Sequence, residues 1–264
     1  MNANFLSNYD FDRNVSYISK VELESGDYPS INNTKEFNCK DYRHEHYDFE
    51  IPMLSPIFSN NLVNIDEFLN GGEVKLKGNY TPETPIILSN TTTKVELNNK
   101  TITGPIFAES NGEVNEGTTD SYVFWVKEGA ELTINGNGKI IAQEAKYSMA
   151  VWANGGKVII NGGKFYNNGN NSDLIYASNN GVVEIYGGEF HANKNEGASG
   201  TKNVYPALNI KDKDRNNSSI TVYGGKFYGF DPSNYVSEGE NTNFVAEGYK
   251  SVEIEEGVFE VMPE

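Results

Sequence analysis

One phrase recurs along this chain and constrains its fold more than any other feature. Val158-Ile159-Ile160-Asn161-Gly162-Gly163-Lys164-Phe165 returns as Val183-Glu184-Ile185-Tyr186-Gly187-Gly188-Glu189-Phe190 and again as Ile220-Thr221-Val222-Tyr223-Gly224-Gly225-Lys226-Phe227. Degenerate relatives flank the three copies. Leu132-Thr133-Ile134-Asn135-Gly136 precedes them, Val252-Glu253-Ile254 leading to Gly257 and Phe259 follows, and Val95-Glu96-Leu97 running on to Thr101-Ile102 is earlier still. Repetition of this kind is the signature of a solenoid, whose unit cannot bury its apolar face alone and stacks on copies of itself.

Registering on the second apolar residue gives Leu97, Ile134, Ile160, Ile185, Val222 and Ile254, with steps of 37, 26, 25, 37 and 32 residues. The short steps set a rung of about 25 residues. The longer ones are a rung plus an excursion, and Asn111 to Asp120, Asn193 to Lys202 and Lys211 to Asn217 have the Gly, Asn and charge of loops. Within a copy, alternation such as Val-x-Ile turns two side chains inward, and the Gly-Gly that follows supplies a corner where positive φ is free of steric cost. The next Phe then enters the core from a second strand. Asn154-Gly155-Gly156 and Asn179-Asn180-Gly181 mark another corner. Val123-Phe124-Trp125, Met149-Ala150-Val151 and Leu174-Ile175-Tyr176 supply a third strand, whose inward register the pattern leaves open.

The expected fold is therefore all-β: a single-stranded, right-handed parallel β-helix, a pectate-lyase-like solenoid, running from about Asn64 to Phe259 within residues 62–264. Rungs stacked at about 4.8 Å pile like on like. Ile140, Phe165, Phe190, Phe227 and Phe259 should form one interior column and the Ile/Val series another. Ile65 to Gly72 reads as a short amphipathic helix plugging the first rung before Val74-Lys75-Leu76, and Asn243 to Glu264 as a segment that closes the far end or passes to another subunit.

Residues 1–61 lack the period, carry His44 and His46, and suggest one strand at Val15 to Leu23; they read as a non-repetitive N-terminal arm or attachment region pressed against a partner. Thirty-seven acidic against 21 basic residues give a charge of −16, which repels phosphate backbones and anionic lipid; neither nucleic acid nor membrane insertion is expected. Cys39 is alone, so no intramolecular disulfide or cysteine-based zinc site can form. Met1 to Arg13 has neither the basic cluster nor the apolar stretch of a secretory signal, which points to synthesis in a cytoplasm and exit by lysis or within a particle.

Parallel β-helices often host polysaccharide lyases and hydrolases, and a hydrolase needs two carboxylates suitably spaced. The acids of the clearest rungs, Glu184 and Glu189, flank one corner, but their counterparts are Ile159 and Lys164 in the preceding copy and Thr221 and Lys226 in the following one. They read as a solvated outer face. The three arginines, Arg13, Arg43 and Arg215, lie outside the rungs, where none can serve as a lyase base. His191 reads as a surface residue, and His44 and His46 have no identified third ligand. No catalytic residue, metal or cofactor is assigned. One outward feature stands out: Tyr166, His191 and Tyr228 follow the core Phe, while Tyr186 and Tyr223 follow the core Ile or Val. These should form external ladders, serving rung-to-rung stacking, an interface with a sister subunit, or a glycan platform.

Tyr223-Gly224-Gly225-Lys226-Phe227-Tyr228-Gly229-Phe230-Asp231-Pro232-Ser233-Asn234, continuing into Thr242-Asn243-Phe244-Val245-Ala246-Glu247-Gly248-Tyr249-Lys250, resembles a closing segment common in β-helical structural proteins of tailed bacteriophages. The resemblance covers about 40 residues at the C-terminal end. It implies a virion component of the head-fibre, capsid-decoration or tail-appendage type, usually trimeric, that docks to capsid or tail proteins through its N-terminal region. It brings no catalytic residues. The expectation is a non-enzymatic structural or adhesive virion protein that contacts host surface glycans; the alternatives are a polysaccharide-degrading β-helix enzyme and a bacterial surface adhesin.

Overall fold

The computed structural model describes residues 63–107, 120–145, 147–168, 173–191, 206–237 and 240–264, with backbone alone for Ala3–Ser7, Ile18–Leu23, Glu36–Phe37, 235–237 and 240–241. The chain divides into two compact units, Met1–Ile57 and Phe58–Glu264. In the first, Ala3–Ser7, Ile18–Leu23 and Glu36–Phe37 form an antiparallel sheet in that order. One strand thus lies where Val15 to Leu23 was expected, and two others join it.

The second unit is nearly all-β and consists mainly of parallel sheets. Its recurring phrase is two strands belonging to two different sheets. The first sheet has six strands: Gly72–Lys75, Thr92–Glu96, Glu131–Asn135, Lys157–Ile160, Val182–Ile185 and Ser219–Val222. In the second, Thr101–Thr103, Lys139–Ala142, Lys164–Asn167, Glu189–His191 and Gly225–Tyr228 follow one another in parallel. The third holds Ile86–Leu88, Asp120–Lys127, Tyr147–Asn154, Ile175–Ser178 and Leu208–Ile210, also parallel. From Thr92–Glu96 to Gly225–Tyr228 the strands visit the sheets in turn, each pairing with its counterpart from the previous visit; before them, Gly72–Lys75 leads to Ile86–Leu88 with only a Tyr80–Ile102 bridge in the second sheet's place.

Registration puts equivalent side chains opposite one another. Leu132, Val158, Val183 and Ile220 succeed one another across the first sheet, as do Ile134, Ile160, Ile185 and Val222. Across the second, Ile102, Ile140, Phe165, Phe190 and Phe227 stand in register, all fully buried. The Phe165–Phe190 and Phe190–Phe227 rings stack at 4.9 and 4.8 Å. The third sheet settles the register that the sequence left open: Phe124, Val151, Ile175 and Leu208 align and are buried. Val151, one residue beyond the middle of the Met149-Ala150-Val151 triplet, is the inward partner of Phe124.

The two glycines of each corner answer different needs. The second takes positive φ, at 99° for Gly163, 117° for Gly188 and 114° for Gly225. The first lies over the preceding turn: a Cβ on Gly162 or Gly187 would sit 2.8 Å from the carbonyl oxygen of Gly136 or Asn161, and on Gly224 2.5 Å from that of Tyr186. A side chain there would collide with the backbone of the equivalent corner one repeat earlier.

The expected register slips at both ends. Val95, not Leu97, pairs with Ile134. A shift of two keeps the same face inward, so Leu97 is still buried, but at the next corner, where its amide donates to the Asn135 carbonyl at 3.0 Å. Thr93 occupies the inward position beside Leu132, buried, and its hydroxyl donates to the Phe68 carbonyl at 2.8 Å. At the other end, Ile254 is 39% exposed. The series continues instead through Val245, which bridges Val222 in parallel, with the Val222 amide donating to the Phe244 carbonyl at 2.8 Å.

Val252-Glu253-Ile254 mimics the repeat but lies in Tyr249–Glu255, which pairs antiparallel with Val258–Pro263, itself antiparallel to Gly225–Tyr228. Phe259 does face Phe227, yet only partly buried and from a reversed strand. The C-terminal segment therefore covers the edge of the second sheet with a hairpin.

The opposite end carries the expected helix, Ile65–Leu69. Asn64 caps it and Glu67 completes a capping box, satisfying amides that a five-residue helix could not otherwise pair. Its apolar side buries Phe68, which stacks on Tyr80 at 5.6 Å and meets Phe124 edge-on at 6.1 Å.

Because Phe190 lies between two stacked rings, Phe190→Ala should cost roughly 3–5 kcal/mol of unfolding free energy. Phe259→Ala, at a half-buried site, should cost less than half as much. Denaturant unfolding of the two variants measures the difference, and equal losses would contradict the column.

Candidate functional site

Parallel registration also stacks what points outward. Tyr166, His191 and Tyr228 occupy equivalent positions in three successive strands of the second sheet. The imidazole is held between the phenol rings at 4.4 and 4.1 Å, with interplanar angles of 9° and 12°. The Lys139 ammonium stands 5.9 Å from the Tyr166 ring centroid. On the first sheet, Tyr186 and Tyr223 stack at 4.7 Å and 6°, and Tyr249 meets Tyr223 edge-on at 5.5 Å. All five residues expected in ladders are thus brought into two of them. Tyr186 remains 49% exposed.

The acids of these rungs are spoken for. Lys157 Nζ lies 3.0 Å from Glu184 Oε2 on the first sheet, and Lys164 Nζ lies 3.0 Å from Glu189 Oε1 on the second. Hydrogen bonding to Glu184 and Glu189 holds the two ammonium groups above the ordinary lysine range. Each carboxylate is therefore charge-paired to a rung neighbour. His191 Nε2 is 3.7 Å from Glu189 Oε2. Burial pushes the imidazole below its usual value, against the pull of Glu189 towards the charged form.

A third outer face went unread in the sequence. Ile87, Trp125, Trp152, Tyr176 and Asn209 stand in register across the third sheet. The two indoles stack at 4.6 Å and 10°, Tyr122 meets Trp152 edge-on at 5.5 Å, and Tyr176 is tilted 50° from Trp152 at 6.4 Å. Tyr122, Met149 and Trp152 are buried in a second apolar cluster, separate from the interior. The signal was present, since Tyr122 to Met149 and Trp125 to Trp152 share one spacing. It was missed because this strand is apolar at consecutive positions, as in Val123-Phe124-Trp125 and Leu174-Ile175-Tyr176, so alternation does not show which residues turn inward.

Beside this face, Asp173 Oδ1 accepts from Asn209 Nδ2 at 3.2 Å. Burial raises its carboxyl to about 7, opposed by that amide. Tyr176 is pushed upward by burial and by the negative charges of Asp173, Asp212 and Asp214. The Lys211 to Asn217 excursion is a 3₁₀ turn at Asp212–Asp214. Asp214 Oδ2 accepts from the Asn179 amide at 2.9 Å, and Arg215 pairs with Asp212 at 2.7 Å. His44, His46, Arg13, Arg43, residues 111–119 and the Asn193 to Lys202 excursion lie outside the described residues.

Among the described residues, no group of three or more His, Cys, Asp or Glu is placed to hold a metal ion, and no helix is long and apolar enough to cross a membrane. No protein-family model, curated protein or solved structure matches this chain.

Two titrations follow, with opposite signs. His191 is depressed, so its contribution to stability is full above the ordinary histidine value of about 6.5 and is lost as pH falls towards the folded value. Glu189→Gln should lower its titration further, read by NMR. Asp173 is raised, so its contribution is full below the ordinary carboxylate range and is lost as pH rises through about 7. Asp173→Asn should flatten that alkaline loss in pH-dependent thermal unfolding, and an unchanged profile would contradict the assignment.

Proposed function

We propose that residues 62–264 wind as a right-handed parallel β-helix and that the chain is a non-enzymatic structural and adhesive protein of a tailed-bacteriophage particle, of head-fibre or appendage type. The observation that carries this reading is the cyclic visiting of three parallel sheets in fixed register, with aromatic side chains repeated outward at each visit. Such a stack is a stiff stand-off, because every strand is hydrogen-bonded to the rung before and after it. Its outer rings offer contacts to a host glycan or to sister chains.

Residues 1–61 are the dock to capsid or tail proteins in this reading, and the assembly is a homotrimer. The resemblance of the Tyr223 to Lys250 segment supports a virion setting, and within the stack that segment ends the parallel succession at Val245 before the terminal hairpin. The polysaccharide-degrading alternative rested on Glu184 and Glu189. Their pairing with Lys157 and Lys164 on the outer faces of two different sheets favours a charge-balanced surface over an acid–base pair.

Three measurements test the proposal. Light scattering of the purified chain should give the mass of a trimer. Deleting residues 1–61 should abolish incorporation into particles while leaving the β-sheet circular dichroism of the remainder intact. Incubation with host capsule should release no reducing or unsaturated sugar; release that survives in wild type and disappears in Glu184→Gln or Glu189→Gln would replace this reading with the enzymatic one.

A further inference from the structure

Resting on the adhesive reading, we propose that the outer row of the first sheet at Tyr186, Asn161 and Asn135 holds a glycan, and that the sugar it takes is uncharged. The sugar lies against the phenol ring and over the two amides.

Register builds this row. Immediately beyond the aligned Ile134, Ile160, Ile185 and Val222 come Asn135, Asn161, Tyr186 and Tyr223, and the backbone amides of the last three donate to the carbonyls of Ile134, Ile160 and Ile185 at 2.9, 2.8 and 2.7 Å. Successive Cα atoms in such a row are about 4.8 Å apart. Tyr223 covers one face of the Tyr186 ring, at 4.7 Å and 6°. On the other side stands Asn161, whose side chain ends one bond beyond Cγ, whereas the phenol runs on through Cε and Cζ to its hydroxyl. The outer half of the ring therefore overhangs a step. Tyr186 is 49% exposed, and it is the one exposed aromatic residue among the described residues.

The ladder on the second sheet has no such step. In its row Tyr166 is preceded by Ile141, the Lys139 ammonium stands 5.9 Å from the Tyr166 ring centroid, and Tyr228 at the far end is opposite Val258.

The floor of the step is polar. Asn161 Nδ2 donates to Asn135 Oδ1 at 2.8 Å, and Asn161 is exposed. That bond engages one N–H and one carbonyl lone pair of the two amides and leaves the remainder for a ligand. The charges nearby are paired or negative. Lys157 is committed to Glu184 at 3.0 Å, while Glu96 stands in register with Asn135 and Glu131 with Lys157.

These features select the occupant. An acidic sugar or a nucleic-acid phosphate would be repelled by the acids and by the chain's net charge of −16. An apolar protein surface would cover the ring but strip water from the amides without replacing their hydrogen bonds. An uncharged sugar meets both demands, with an apolar C–H face for the overhanging ring and hydroxyls that donate to and accept from the amides.

The full chain is tested on an array of soluble glucans, mannans and galactans together with uronic-acid polymers, and each bound polymer is titrated by calorimetry. Uncharged polymers should bind and uronic-acid polymers should not. Tyr186→Ala should lower affinity about tenfold and Asn161→Ala roughly fivefold, whereas Tyr186→Phe, which keeps the ring, should cost about twofold at most. Tyr186 and Asn161 are exposed, so these substitutions leave the interior intact, and circular dichroism checks it. Binding of an uncharged polymer that survives both alanine variants would overturn this site and leave the adhesive reading standing. The site is equally overturned if Tyr186→Ala keeps its affinity but lowers the mass of the assembly in light scattering, which assigns the ring to a contact with a sister chain. Binding of uronic-acid polymers alone would overturn the choice of ligand. Binding of no polymer would overturn both the site and the adhesive reading.

Discussion

Hydrogen bonding between equivalent strands in parallel is the constraint from which the rest of this structure follows. Once Ile160 is opposite Ile185 and Phe165 opposite Phe190, every neighbouring position is fixed, inside and out. Interior positions become columns of large apolar side chains, aliphatic or phenyl, and their burial is collective because no strand could hide its apolar side by itself. Exterior positions become columns too. The same register that stacks Phe165 on Phe190 stacks Tyr166 on His191 and aligns Asn161 with Asn135, whose side-chain amides hydrogen-bond at 2.8 Å. The glycine pairs belong to this constraint, since a Cβ on Gly187 or Gly224 would meet the carbonyl of the preceding turn.

A stack of this kind must end, and its edges would otherwise offer unpaired backbone to other chains. The two ends are covered by different means. At one, Asn64 and Glu67 cap a helix of five residues that inserts Phe68 and receives the Thr93 hydroxyl at its carbonyl. At the other, the chain reverses, so that Val258–Pro263 runs antiparallel to Gly225–Tyr228 and Tyr249–Glu255 folds outside it. Exposed Glu253, Glu255 and Glu256 follow along that outer edge, where like charges disfavour pairing with another copy.

The outer surfaces carry the functional argument. Two sheets present ladders whose rings stack on one another and whose acids are held by lysines. The third presents a cluster of larger rings, a broken stack and a donor without an acceptor.

Much of this was legible from residues alone. The three copies of the Gly-Gly phrase marked two successive strands, the inward Ile/Val and Phe series from Ile134 to Phe227 and the five ring positions of the two ladders, and the amphipathic stretch from Ile65 to Gly72 marked the capping helix, because alternation and glycine spacing are local properties of the chain. The sequence did not determine whether Leu97 or Val95 sits opposite Ile134, since a shift of two preserves the pattern. It likewise could not distinguish Val252-Glu253-Ile254 from another parallel turn, because strand direction leaves no mark on alternation. The aromatic face of the third sheet waited on tertiary structure because Trp125, Trp152 and Tyr176 lie in strands that are apolar at consecutive positions, where alternation is silent, and only the register with Phe124, Val151 and Ile175 as the inward set decides that the larger rings point out.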